Sequence, residues 1–402
     1  MADITQVSGE PRHLGALGAR LWRGAAAVGA AGLVVSVALA ALEPDGWRRF
    51  FFAYLQDFAY FLSLSLGALY FVVLHHLTRA GWSVVVRRIA EALAAVLPFM
   101  LVLFIPVVLG LRQLYPWARP EVIAHDLALQ HKAAYLNVPF FVLRCVFYLV
   151  VWGLMARYFF RRSLSQDATG DARETLHMQA RSAPAMVAFA LTLTFGAFDL
   201  LMSLAPHWYS TIFGVYYFAG STVGIYALLP VLAFGLQSRG LLPRAITVEH
   251  YHDMGKLLFG FIVFWAYIGF SQYMLIWYAN IPEETRWLLR RQQHGWEAVG
   301  LVLVFGHFIV PFAALLSRAI KRRPVALAGV AAWILVMHWV DLYWLVMPEG
   351  SPASPFPHLL DLAILVGLGG VWVAAAAFVA KEHSLLPERD PRLAESLAFE
   401  NA

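Results

Sequence analysis

The sequence predicts an all-α polytopic membrane protein with ten transmembrane helices. Two observations carry this. Of 402 residues, 60% are hydrophobic and 14% charged, at a mean hydropathy of +0.65, whereas soluble domains carry about 25% charged residues. The apolar residues are also gathered into ten runs near the ~20 residues that a helix needs to cross hydrocarbon. Inside lipid the backbone must pair its own N–H and C=O groups, so such runs are helices. No sizeable soluble domain is left over, and the chain reads as one integral membrane domain over 1–402.

Taken in order, the first run (24–42) follows Arg20 and Arg23 and ends in Ala38-Leu39-Ala40, which looks like a signal-peptidase site. It exceeds a signal core of about 7–15 residues, so it reads as an uncleaved anchor. The second (50–75) carries Asp57, and the third (90–111) is interrupted by Pro98 and Pro106. The fourth (137–160) holds Arg144 and the single cysteine, Cys145. One buried-type cysteine excludes a disulfide framework and a thiolate metal or iron–sulfur site. A mixed-charge stretch, 161–182, reads as a linker to the fifth run (183–205), where Thr192, Gly196, Asp199 and Ser203 form a stripe at helical spacing. The sixth (210–236) contains Pro230. The seventh (254–279) is entered through His250, His252, Asp253 and Lys256 and carries Gln272. The eighth (297–319) holds His307 and Pro311, and the ninth (325–347) holds His338 and Asp341. His358 and Asp361 open the tenth (356–380), and the tail 381–402 reads as a charged, frayed end.

Ten spans put both termini on one side. With the N-terminus inside, the inner segments hold 21 Lys and Arg and the outer loops 8, with Arg144 in a span. The positive-inside rule therefore places both termini in the cytoplasm. The net charge of +5 follows from that topology and does not point to nucleic acid.

Ionisable groups in hydrocarbon are costly and mark functional sites by default. Asp57, Arg144, Asp199 and Asp341 each lie six or seven residues inside the same outer face, roughly 10 Å deep at ~1.5 Å per residue. Gln272 is close in depth, His207 lies in the loop above, and His307 and His338 sit near the midplane. His338 and Asp341 are i,i+3 neighbours, and a His beside a carboxylate is suited to carrying protons. Arg144 is read either as part of this site or as an ion-pair partner that locks helices together. His307 and His338 are also placed to ligate a b-type haem, but nothing else in the sequence supports one. Thr192, Thr194, Ser221, Thr222 and Tyr226 line a half-path from the inner side or are ordinary interhelical hydrogen-bonders.

Three strings carry a resemblance. They are Phe198-Asp199-Leu200 through Ala205-Pro206-His207-Trp208 to Tyr216; His252-Asp253-Met254-Gly255-Lys256 with Phe270-Ser271-Gln272-Tyr273 through Glu284; and Asp341-Leu342-Tyr343-Trp344-Leu345-Val346-Met347-Pro348. They resemble the membrane subunits of bacterial alternative complex III, in the NrfD and polysulfide-reductase membrane-subunit family. Length and short loops are similar to the smaller of the two such subunits in that complex. Ala205 stands where relatives often have an acidic residue. The resemblance implies two four-helix bundles plus two peripheral helices, in the bacterial inner membrane. It implies a subunit of a quinol-oxidising oxidoreductase that passes electrons to cytochrome c or another acceptor. Its partners would be a homologous membrane subunit, an iron–sulfur subunit, haem c subunits and membrane lipids. Quinone or menaquinol would be the cofactor, with no haem, metal or iron–sulfur cluster in this chain. Asp199, His207 and Gln272 then become candidates for quinone binding. Asp199, Asp341, His338, Asp57 and Arg144 become candidates for proton transfer, the last two on depth alone. On this reading Asp199→Asn and Asp341→Asn lower turnover while assembly survives. A secondary transporter and a purely structural anchor for soluble redox subunits stay open beside it.

Overall fold

A computed structural model describes residues 9–401. Ten helices in it are long and apolar enough to cross a membrane: α1 Gly15–Leu42, α2 Gly46–Leu77, α3 Val84–Leu109, α4 Val138–Thr169, α5 Arg173–Leu204, α6 Phe213–Gln237, α7 Val248–Ala279, α8 Trp296–Leu316, α9 Pro324–Gly350 and α10 Leu359–Ala380. The chain is an all-α polytopic membrane protein.

α2, α3, α4 and α5 pack in a closed ring, each against the next and α5 back on α2. α6, α7, α8 and α9 form a second ring in the same way. The rings join where α2 meets α6 and α9, which makes α2 the most enclosed helix. α1 and α10 stand outside as a pair against α2. Small residues let their backbones touch: a Cβ on Gly32 would lie 2.6 Å from the Gly367 backbone nitrogen. Lipid tails are as apolar as leucine, so helices in a membrane associate through such close packing.

Hydropathy places the apolar centres and misses the polar ends. α4 runs on to Thr169 and α5 begins at Arg173, so the expected linker 161–182 is a three-residue turn with Gly170 in the left-handed region (φ 73°). Its polar residues are two facing helix ends. Arg162 pairs with Glu174 at 2.9 Å, and Gln166 donates to Thr175 Oγ1 at 2.7 Å. α3 likewise starts six residues before its apolar run, then breaks near Pro98 and Pro106, which cannot donate to the helix ladder.

The tail is docked where a frayed end was expected. Leu385, Leu386 and Leu393 are buried, and Leu385 N–H donates to the Arg12 carbonyl at 2.8 Å. The first and last described segments thus meet on one face, here the terminal face; the other is the distal face. Under the tail, Arg87 and Arg88 both donate to Glu91, at 3.2 and 2.8 Å. Arg87 also pairs with Asp390, and Arg88 with Asp167 at 2.7 Å. These charges are buried as a set, each with a partner, which is how buried charges are tolerated. The terminal face is therefore richer in polar groups than the sequence suggests.

Candidate functional site

The four ionisable residues expected in one layer fall in three places. Arg144 and Asp199 meet inside the first ring. Arg144 Nε and Nη2 donate to the two carboxylate oxygens at 2.9 and 2.7 Å, and the Tyr148 hydroxyl adds a third bond at 3.0 Å. Arg144 Nη1 also donates to the Tyr135 carbonyl at 2.9 Å, and the guanidinium lies 3.7 Å from the Tyr135 ring centroid. Burial first, and the Asp199 charge second, push the Tyr135 phenol up to about 12, so it stays a neutral lid on the pair. Asp199 is buried with its oxygens fully engaged. The pair ties α4 to α5, the contact that the ion-pair reading of Arg144 expects.

Asp341 is held differently. It lies in the second ring, on α9, the helix that corresponds to α5. It accepts from the Tyr216 hydroxyl of α6 at 2.5 Å and from Trp265 Nε1 of α7 at 3.0 Å. Both donors are neutral, and among the described residues no cation lies within ion-pair distance of it. α8, the third helix of this ring as α4 is of the first, carries His307, which meets Trp265 and makes no bond to Asp341. The His307 ring lies on the Trp265 ring with centroids 3.9 Å apart, and neither of its nitrogens has a hydrogen-bond partner. It sits in a π-helical stretch, Leu303–Ile309. Such wide turns recur at functional sites, and Pro311, four residues on, has no N–H for the His307 carbonyl.

His338 points with Asp341 at α6. A Cβ on Gly220 would lie 2.8 Å from His338 Cε1, 3.2 Å from Nδ1 and 3.8 Å from Asp341 Oδ2. Only a residue without a side chain admits both. His338 Nε2 bonds Ser63 Oγ at 2.8 Å, and that hydroxyl donates to the Tyr60 carbonyl at 2.6 Å. Because the hydroxyl proton is committed to Tyr60, the network assigns the ring hydrogen to Nε2. Nδ1 then keeps a free lone pair, with no partner among the described residues. Asp57, on α2, accepts from Trp339 Nε1 of α9 at 2.7 Å through Oδ1, while Oδ2 is buried and unpartnered. The seam therefore holds Asp57 and His338, and the second ring beside it holds Asp341 and His307: two carboxylates with neutral donors only and two imidazoles with nitrogens that have no partner among the described residues.

The expected quinone-binding trio is not gathered. Asp199 is locked by Arg144. His207 is exposed, with Nε2 2.8 Å from Asp126 Oδ2. Gln272 accepts from Ser210 Oγ at 3.1 Å. No hydrogen bond or ion pair joins any two of the three among the described residues. The inner half-path groups mostly bond their own helices: Ser221 donates to the Tyr217 carbonyl, Thr222 to Ala219 and Thr192 to Ala188. Tyr226 leaves its buried hydroxyl without a partner among the described residues.

Sequence reasoning missed Tyr216, Trp265 and Trp339, the donors to the two unpaired carboxylates. Tryptophan in a membrane chain reads first as an interfacial belt, and only the placement of α2, α6, α7 and α9 side by side turns these rings inward. Arg49 and Asp361 were missed as a pair. Their two bonds, 3.0 and 2.5 Å, close the distal face between α2 and α10. Compared with known protein families and with curated proteins, the chain matches none.

Proposed function

We propose that this chain is the membrane subunit of a quinol-oxidising electron-transfer complex, and that Asp341, with His338 and His307 beside it, handles the protons released there. The observation that carries the reading is the contrast between two buried carboxylates: Asp199 has a guanidinium and Asp341 has none. A carboxylate bonded to an arginine is held ionised, whereas a buried one facing neutral donors can exist with or without its proton. A quinol hydroxyl needs such an acceptor within hydrogen-bond reach. The resemblance of the three strings around Asp199, Gln272 and Asp341 supplies the quinol and its redox partners: an iron–sulfur subunit, haem c subunits and a homologous membrane subunit. The excess of Lys and Arg on the terminal face supports a cytoplasmic location for both chain ends in a bacterial inner membrane.

Affinity purification of the chain in mild detergent tests the reading, with mass spectrometry and an optical spectrum of what accompanies it. The expected result is co-purifying haem c and iron–sulfur subunits that a quinol reduces. A colourless chain without partners overturns it and favours substrate transport by the chain alone.

A further inference from the structure

A second polar site lies far from the seam, at the terminal-face end of α4. A cavity of about 400 Å³ opens there between α4 and α5, lined by Arg157, Tyr158, Arg161, Arg162 and Glu174. Glu174 takes Arg162 at 2.9 Å and a hydrogen bond from Ser165 at 3.1 Å, so that pair is internally neutral. Arg157 and Arg161 have no ion-pair partner among the described residues. The cavity therefore carries two unneutralised guanidinium groups, whose forked donors match a phosphate.

The position of these arginines selects the source of the phosphate. From Val138, the first residue of α4, to Arg157 is a rise of roughly 29 Å at ~1.5 Å per residue, against a hydrocarbon thickness of about 30 Å. Arg157 thus stands at the hydrocarbon boundary. On the same helix face Leu143, Phe147, Val150 and Leu154 are exposed. Their spacing of four, three and four continues by three to Arg157 and by four to Arg161, so one helix stripe runs from apolar to cationic. An acyl chain lying along the stripe brings its own phosphate to the cavity, whereas a free anion gains nothing from it.

We infer that this cavity binds the phosphate of an anionic phospholipid whose acyl chain lies along the Leu143–Leu154 stripe. Basic pockets between membrane helices are suited to such head groups. The inference is independent of the quinol reading.

The test is native mass spectrometry of the full chain in detergent, titrated with dioleoylphosphatidylglycerol, with dioleoylphosphatidylcholine, and with inorganic phosphate as competitor. Arg157→Gln/Arg161→Gln removes the two charges. Arg20→Gln/Arg23→Gln removes the same charge from α1 near the same face. Phosphatidylglycerol should bind the unaltered chain in preference to phosphatidylcholine and lose about thirtyfold in affinity in the α4 variant, given roughly fivefold for each arginine near a membrane. The α1 variant should keep it, and Arg157→Lys/Arg161→Lys should retain most of it. Equal loss in the α1 variant, or no loss in the α4 variant, overturns the site. Displacement by millimolar phosphate overturns the lipid assignment. If the glutamine variant does not fold, the lipid preference and phosphate competition of the unaltered chain decide.

Discussion

Arg144 holds Asp199 through two hydrogen bonds of 2.9 and 2.7 Å, and the corresponding carboxylate of the second ring, Asp341, has only a phenol and an indole. Two rings of like layout thus treat one buried charge in opposite ways. The first pairs it with a guanidinium. The second gives it neutral donors only, which is the basis of the proposed proton route.

The lock makes a stability prediction. Removing one partner of a buried ion pair strands the other, at a cost of about 3–5 kcal/mol. Arg144→Met and Asp199→Asn should each lower thermal stability in detergent by an amount of that order. Arg144→Met with Asp199→Leu should recover most of it, since no charge is then left alone. Additive losses in the double variant would count against the pair as a lock. For Asp199→Asn, this loss of stability is expected beside the loss of turnover that the sequence suggests, so the two are measured separately.

Gly220 should be intolerant in a graded way. A methyl group at that position meets the His338 ring at 2.8 Å, and overpacking of this kind costs about 1–3 kcal/mol. Gly220→Ala should fold and show reduced quinol turnover because His338 is displaced. Gly235→Ala, with only an arginine tip 3.8 Å away, should behave as the unaltered protein. Equal turnover in the two variants would remove His338 from the proton route.

The tail should depend on Glu91. Glu91→Gln removes the charge that both Arg87 and Arg88 share under residues 385–393. Limited proteolysis should then release the tail much faster, with the ten-helix core left whole. Unchanged protection would mean that the buried leucines alone hold it.

How far the sequence could be read depended on the type of signal. The ten spans were legible because hydrocarbon imposes length and composition on every crossing. Polar helix ends were not, because Arg162 with Glu174 and Arg87 and Arg88 with Glu91 look like loop charges until their partners are known. Leu385, Leu386 and Leu393 were an available sign that the tail docks. At the candidate site, Asp341 and His338 were found by their cost in hydrocarbon. Shared depth grouped Asp341 with Asp57, Arg144 and Asp199, because depth along a helix is visible in sequence and the neighbouring helix is not. The role of Trp265 needed the fold.

The central claim is that Asp341 carries a proton and Asp199 does not. Quinol-dependent electron transfer by the purified complex, measured side by side for Asp341→Asn and the unaltered chain at matched subunit composition, tests it most directly. A positioned acid–base group contributes about 100-fold or more, so the variant should lose turnover by that order while its helices, partners and haem spectrum stay the same. Full turnover in the assembled Asp341→Asn complex would contradict the account.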